Sequence, residues 1–153
     1  MGEVRVKATM RNFVDVALAE RGSGRVEDVP TSRLDCLVDT GALMVLLPED
    51  EVGKLGLSRG GRVIVTCADD RREELPTARG LEVTMLGRSM VTDCVIGPPL
   101  CEPLIGQLVL EELDLVVDSG RNLLGPRPES PNLPLLKLKK GLSGGRGLGG
   151  VDI

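Results

Sequence analysis

An apolar run from Leu34 to Val38, interrupted only by Asp35, feeds directly into Asp39-Thr40-Gly41. A carboxylate at the end of a buried strand is costly unless it is hydrogen-bonded or shares its charge with a neighbour. The residues around Asp39 suit that demand. Thr40 offers a hydroxyl, Gly41 lets the backbone turn tightly and approach a neighbour because it has no Cβ, and Ala42 keeps the exit small. A second apolar strand, Met44 to Leu47, comes next, and Leu104-Ile105-Gly106 opens a further apolar-to-glycine element much later in the chain.

Composition removes most other chemistries. The chain has 153 residues and no histidine, which excludes Ser-His and Cys-His nucleophilic sites and His-ligated zinc. The four cysteines, Cys36, Cys67, Cys94 and Cys101, form no C-x-x-C pair and read as free thiols in a reducing cytoplasm. No metal site and no cofactor are expected, so any catalysis falls to carboxylates. A net charge of −4, with one Phe and no Trp or Tyr, argues against nucleic-acid binding, which relies on basic side chains and stacking platforms. No apolar run reaches the about 20 residues of a membrane helix. Met1 to Arg5 lacks signal-peptide character, and Val6 stands where a myristoylation signal has Ser or Thr.

The pattern along the chain predicts short strands. Val4, Val6 and Ala8 alternate with charged residues. Met10-Arg11-Asn12 reads as a hairpin turn into a second alternating strand over Phe13 to Leu18, followed by a loop over Arg21 to Val29. Thr31 to Val38 returns as a strand. Pro48, then Glu49, Asp50 and Glu51, open a short helix that buries Val52 and Leu55 and ends at Gly56. Arg62 to Thr66 and Glu73 to Leu75 flank a polar turn at Ala68 to Arg72, and Leu81 to Met85 pairs with Met90 to Ile96 around Gly87-Arg88. Gln107 to Leu113 is a second short helix, and Leu115 to Val117 turns at Asp118-Ser119-Gly120 toward Leu123-Leu124. The pattern predicts an all-β, barrel-like domain with one or two short helices over residues 1–138. Residues 139–153 read as a Gly-rich, disordered tail.

Asp39-Thr40-Gly41 after an apolar strand, with a second strand following and Leu104-Ile105-Gly106 further on, resembles the active-site arrangement of the retroviral-type (retropepsin-like) aspartic proteases. The chain looks most like their small bacterial and archaeal cellular members. The resemblance implies the closed barrel of the acid-protease fold, with Asp39, Thr40 and Gly41 as the catalytic motif. It also implies a substrate channel built from Ala42, Leu43, Met44, Ile105 and Gly106 and from a flap hairpin at Val65, Thr66, Cys67, Ala68 and Asp69. The chain departs from the family at three places. The flap tip is charged rather than glycine-rich. Leu43-Met44 and Gln107-Leu108 stand where the retroviral enzymes carry acidic residues and Arg-Asn. Both sides of that ion pairing are gone together, which implies a more apolar pocket.

Aspartic proteolysis needs two carboxylates sharing one proton. Within the chain, Asp118-Ser119-Gly120 is one candidate partner, 79 residues from Asp39; its competing reading is a hairpin turn. That spacing is too short for two full lobes, so the turn reading fits Asp118 better, and the second carboxylate is expected to be Asp39 of a second copy, brought to the same two-fold axis in an obligate homodimer. The predicted activity is therefore endopeptidase cleavage of extended peptides or unfolded protein. A dimeric peptide-binding or scaffold module on the same fold, and an unrelated β domain with a chance Asp-Thr-Gly, stand as alternatives.

Overall fold

The computed structural model describes residues 2–138; the expected glycine-rich tail, 139–153, lies outside them. Alternation builds the first strand. Val4, Val6, Ala8, Met10 and Asn12 all point inward along β1, Val4–Asn12, as a period of two requires. β2, Thr31–Val38, lies antiparallel to it over its whole length, from Val4 opposite Val38 to Arg11 opposite Thr31. The other edge of β1 pairs with β5, Arg72–Met85, from Thr9 opposite Thr84 to Asn12 opposite Leu81.

These two pairings close a ring. β5 joins β6, Arg88–Gly97, and β6 runs parallel to β3, Val45–Pro48. The two-residue β7, Leu104–Ile105, sits between β3 and β2. The result is a closed six-stranded barrel, β1-β2-β7-β3-β6-β5. Closure gives every ring strand a partner on both sides along at least part of its length. Val45, Leu47, Leu81, Val83, Cys94 and Ile105 are 0–1 % exposed inside it. β4, Ser58–Thr66, stays outside the ring, paired only with β5.

Among the described residues three short α-helices cover the barrel, one more than expected. Met10-Arg11-Asn12 does not turn. β1 runs through it, and Phe13–Glu20 forms helix α1 instead of a second strand. Asn12 explains the switch. Its Oδ1 accepts from the Val14 amide at 3.0 Å, capping α1, while its Nδ2 donates to the Leu55 and Gly56 carbonyls at 3.0 Å each. One buried side chain thus starts one helix and closes another. The second helix is α2, Glu49–Leu55, which ends at Gly56 in the left-handed conformation (φ +67°), where glycine has no steric penalty. The third, α3, spans Gln107–Leu113 and buries Val109, Leu110 and Leu113. β8, Leu115–Asp118, and β9, Leu123–Pro126, form a separate hairpin.

The β4–β5 hairpin is also longer than the sequence suggested. β4 begins at Ser58, and β5 runs unbroken where two strands were expected. Register shifts at Gly60-Gly61 and around Gly80 (φ +77°) absorb the irregularity, as bulges do. No helix among the described residues is long and apolar enough to cross a membrane.

Candidate active site

β2 and β3 follow each other in sequence but are separated by β7. The loop that joins them, with Asp39-Thr40-Gly41-Ala42 at its start, must therefore pass over the end of β7. Backbone hydrogen bonds fix it there. The Asp39 amide donates to the Ile105 carbonyl at 2.9 Å and the Ala42 amide to the Asp39 carbonyl at 3.1 Å. Asp39 is half-buried as a residue, and its carboxylate Oδ1 accepts from the Gly41 amide at 2.9 Å in an exposed hydrogen bond. The turn thus holds one carboxylate oxygen by the main chain. Thr40 is exposed beside it.

Gly106 locks this loop to α3. The Ala42 carbonyl accepts from the Gln107 amide at 2.7 Å and the Leu43 carbonyl from the Leu108 amide at 3.0 Å. The loop thereby satisfies two of the amides that a helix N-terminus leaves open. Such an approach requires glycine at the join. A Cβ on Gly106 would lie 2.6 Å from the carbonyl oxygens of both Leu43 and Met44.

The structure therefore brings Asp39, Thr40, Gly41, Ala42, Leu43, Met44, Ile105 and Gly106 together, tied by hydrogen bonds at Asp39, Gly41, Ala42, Leu43 and Ile105 and by the close approach of Gly106 to Leu43 and Met44. Leu43 and Leu108 meet here through the backbone. Both present apolar side chains to solvent, 64 and 41 % exposed, beside the aspartate.

Val65, Thr66, Cys67, Ala68 and Asp69 lie on the β4–β5 hairpin and its tip. The Cys67 amide donates to the Arg71 carbonyl at 2.7 Å, and the Asp70 amide to the Cys67 carbonyl at 3.0 Å. Asp70 adopts φ +63°, the left-handed conformation a glycine-rich tip would supply more cheaply. The tip compensates its own charge. Arg71 reaches Asp69 at 3.5 Å and Glu73 at 3.4 Å, and Arg62 pairs with Glu74 across the two strands. Two depressions on the single chain, one lined by Asp15, Leu18 and Asp28 and the other by Lys7, Thr9 and Arg33, do not include Asp39.

Asp118 ends β8 at an exposed hairpin turn, where its Oδ1 accepts from the Gly120 and Arg121 amides at 3.1 and 3.3 Å. It repeats the local turn of Asp39 without the strand insertion that half-buries the latter. All four cysteines are free. Burial pushes the Cys36 and Cys94 thiols up to about 12, so neither supplies a thiolate nucleophile at neutral pH. Among the described residues no group of three or more His, Cys, Asp or Glu is placed to hold a metal ion.

Sequence reasoning did not find the cluster of buried Arg88, Asp114 and Ser130 with half-buried Arg127. Its members are scattered along the chain, and only Asp114, directly after an apolar helix, carried a local signal as a helix end.

No protein-family model and no curated protein matches the sequence. By structure, the chain is similar to the EIAV protease solved in complex with the inhibitor HBY-793, a retroviral protease. The TM-score is 0.50 and the identity 15 %, over 73 % of this chain and 88 % of that one. That likeness carries the fold: an all-β, closed six-stranded barrel of retropepsin type.

Proposed function

We propose that the chain is an aspartic endopeptidase whose site is completed by two copies, each contributing Asp39. One observation carries this reading. Asp39 sits half-buried where the chain crosses β7, with one oxygen held by Gly41 and its loop bolted to α3 through Gly106. Among the described residues no other Asp-X-Gly turn is built into the barrel in this way.

The chemistry follows from two such carboxylates at hydrogen-bond distance, about 3 Å apart. They share one proton, because both cannot be ionised together. The ionised member takes a proton from a water, and that water attacks the scissile carbonyl carbon. The protonated member donates to the carbonyl oxygen. Collapse of the tetrahedral species breaks the C–N bond and passes a proton to the leaving amine. Thr40, exposed next to Asp39, would brace the two motifs against each other.

An extended peptide fits the rest of the site. The β4–β5 hairpin offers main-chain groups to a strand-like substrate, and Leu43 and Leu108 favour apolar residues beside the scissile bond. Four free cysteines suit a reducing, cytoplasmic setting. The self-paired charges of Asp69, Arg71 and Glu73 at the tip favour a second reading, a dimeric peptide-binding module with little turnover.

Wild type and Asp39→Asn, incubated with an unfolded protein from mildly acidic to neutral pH, separate the two. The peptidase reading expects fragments from wild type alone. Intact substrate with wild type at every pH would leave only the binding module.

A further inference from the structure

α3 is held at both ends. At its start, the Gln107 and Leu108 amides hold the Ala42 and Leu43 carbonyls of the Asp39 loop at 2.7 and 3.0 Å. At its end, Arg88 Nη1 donates to the Leu113 and Asp114 carbonyls at 2.8 and 3.0 Å, two of those a helix C-terminus leaves without an intrahelical partner. Only about two turns of helix, roughly 10 Å, separate the two holds.

Arg88 stands first in β6 and is 7 % exposed. Among the described residues its hydrogen-bond acceptors are all main-chain carbonyls, those of Leu113, Asp114 and, at 2.8 Å from Nη2, Ser130. The Asp114 carboxylate is engaged elsewhere, by Arg127 Nε and Ser130 Oγ at 2.5 Å each and the Leu135 amide at 2.8 Å. A buried charge is costly unless something holds it. Here carbonyl dipoles do, two of them at the negative end of α3. What a guanidinium adds over an apolar side chain of similar size is direction, because its planar fork fixes its acceptors relative to one another. The buried Val109, Leu110 and Leu113 hold α3 against the barrel, but apolar burial is non-directional and sets the depth of the helix more firmly than its place along its own axis. Arg88 sets that place from β6, and α3 passes it to the loop that carries Asp39. No hydrogen bond joins Arg88 to Asp39 among the described residues; the link runs through the helix.

We propose that Arg88 is a positioning residue for Asp39, holding the far end of α3 so that the loop at its near end presents the carboxylate where a proton-sharing pair needs it. The inference rests on the two-aspartate reading above and extends it to a side chain outside the site. Two carboxylates share one proton only when about 3 Å apart. A misplacement on the order of 1 Å, caused by a change far from the chemistry, can cost ~100-fold in rate.

Arg88→Met removes every donor, whereas Arg88→Lys keeps the charge but presents one nitrogen where the fork presents two. Asn12→Ala loosens α1 and α2 instead and serves as the control for lost stability alone. The full-length chains are compared under conditions where circular dichroism shows them folded. The expected kcat falls ~10–100-fold in Arg88→Met and ~3–10-fold in Arg88→Lys, with KM within ~3-fold of wild type. The two limbs of the pH profile of kcat/KM, set by the shared proton, should draw together as the carboxylates part. Asn12→Ala should move neither. Hydrogen exchange gives a reading that needs no activity: in both Arg88 variants the Gln107 and Leu108 amides should speed up at least ~10-fold more than the barrel amides of β5, and in Asn12→Ala they should not. Should Arg88→Met fail to fold, Arg88→Lys decides on the same readings. Arg88 variants whose kcat and pH profile match those of Asn12→Ala would overturn the inference and leave the two-aspartate reading standing. A wild type that cuts no peptide would remove that reading. Exchange at Gln107 and Leu108 then decides alone: selective loss of protection supports the hold of Arg88 on the Asp39 loop, and its absence overturns it.

Discussion

Replacing Gly106 by alanine isolates the contact that holds the Asp39 loop to α3. The backbone there has φ −96° and ψ 178°, which alanine adopts freely, so the only penalty is the added methyl. That methyl would lie 2.6 Å from the Leu43 and Met44 oxygens and 2.7 Å from the Leu43 carbonyl carbon. All three are main-chain atoms that cannot rotate aside. Relief to an ordinary contact needs α3 and the loop to part by roughly 0.6 Å, which carries the 2.7 and 3.0 Å bonds from Gln107 and Leu108 toward or past the usual hydrogen-bond limit. Two weakened bonds at about 1 kcal/mol each, with about 1–2 kcal/mol of residual overpacking, give roughly 2–4 kcal/mol. For a chain of this size that lowers Tm by roughly 5–15 °C. Gly53→Ala is the control. Gly53 lies in α2, and a methyl group added there meets nothing within 4 Å, so the change should stabilise by about 0.5–1 kcal/mol. Thermal melts followed by circular dichroism compare the two. A Gly106→Ala protein melting within about 2 °C of wild type would refute the locking argument.

Asn12→Ala removes the cap of α1 and strands the Leu55 and Gly56 carbonyls, so urea unfolding should show a loss of roughly 2–4 kcal/mol; a loss under ~1 kcal/mol would show that water replaces the side chain. Asp114 is held well below the usual carboxylate range, chiefly by the Arg127 guanidinium, then by the Ser130 hydroxyl and the Leu135 amide. A depressed folded-state pKa stabilises fully above the unfolded value of about 3.9 and progressively less as pH falls through the folded one. The difference in urea midpoint between wild type and Asp114→Asn should therefore be flat from neutral pH to about 5 and shrink below about 4; a difference that persists undiminished into strong acid would contradict this. Under native conditions at neutral pH, a thiol reagent should spare Cys36 and Cys94, whose thiols burial has pushed up to about 12, and reach the half-buried Cys67 and Cys101. Fast labelling of all four would mean the barrel opens readily.

The parts of the fold that could be read from sequence are those whose signals are local. The start of β1 alternates cleanly, and α2 carries its acidic start and its Gly56 stop within a few residues. The Asp39 turn was legible in its own residues, and its link to Leu104-Ile105-Gly106 was implied by the resemblance the two motifs carry together. What failed to show depends on distant partners. Phe13 to Leu18 alternates well enough to pass for a strand, and only the reach of Asn12 to Leu55 and Gly56 makes helix the better solution. The closing pair of β1 with β5 joins residues far apart in sequence, as does the cluster around Asp114. The hairpin's length did not show, because β4 and β5 continue through Gly60, Gly61 and Gly80 with register shifts that interrupt the alternation without ending the strands. Within the site, the exposed pairing of Leu43 with Leu108 was visible only as two missing charges.

The central claim is that one site needs an Asp39 from each of two chains. The most direct measurement is peptidase activity at constant total protein while wild type is exchanged for Asp39→Asn under conditions that let subunits mix. If each site needs both aspartates, only wild-type pairs cut, and activity falls as the square of the wild-type fraction, to about one quarter at equal amounts. Activity falling in simple proportion, to about one half, would mean that each chain cuts alone and would contradict the account.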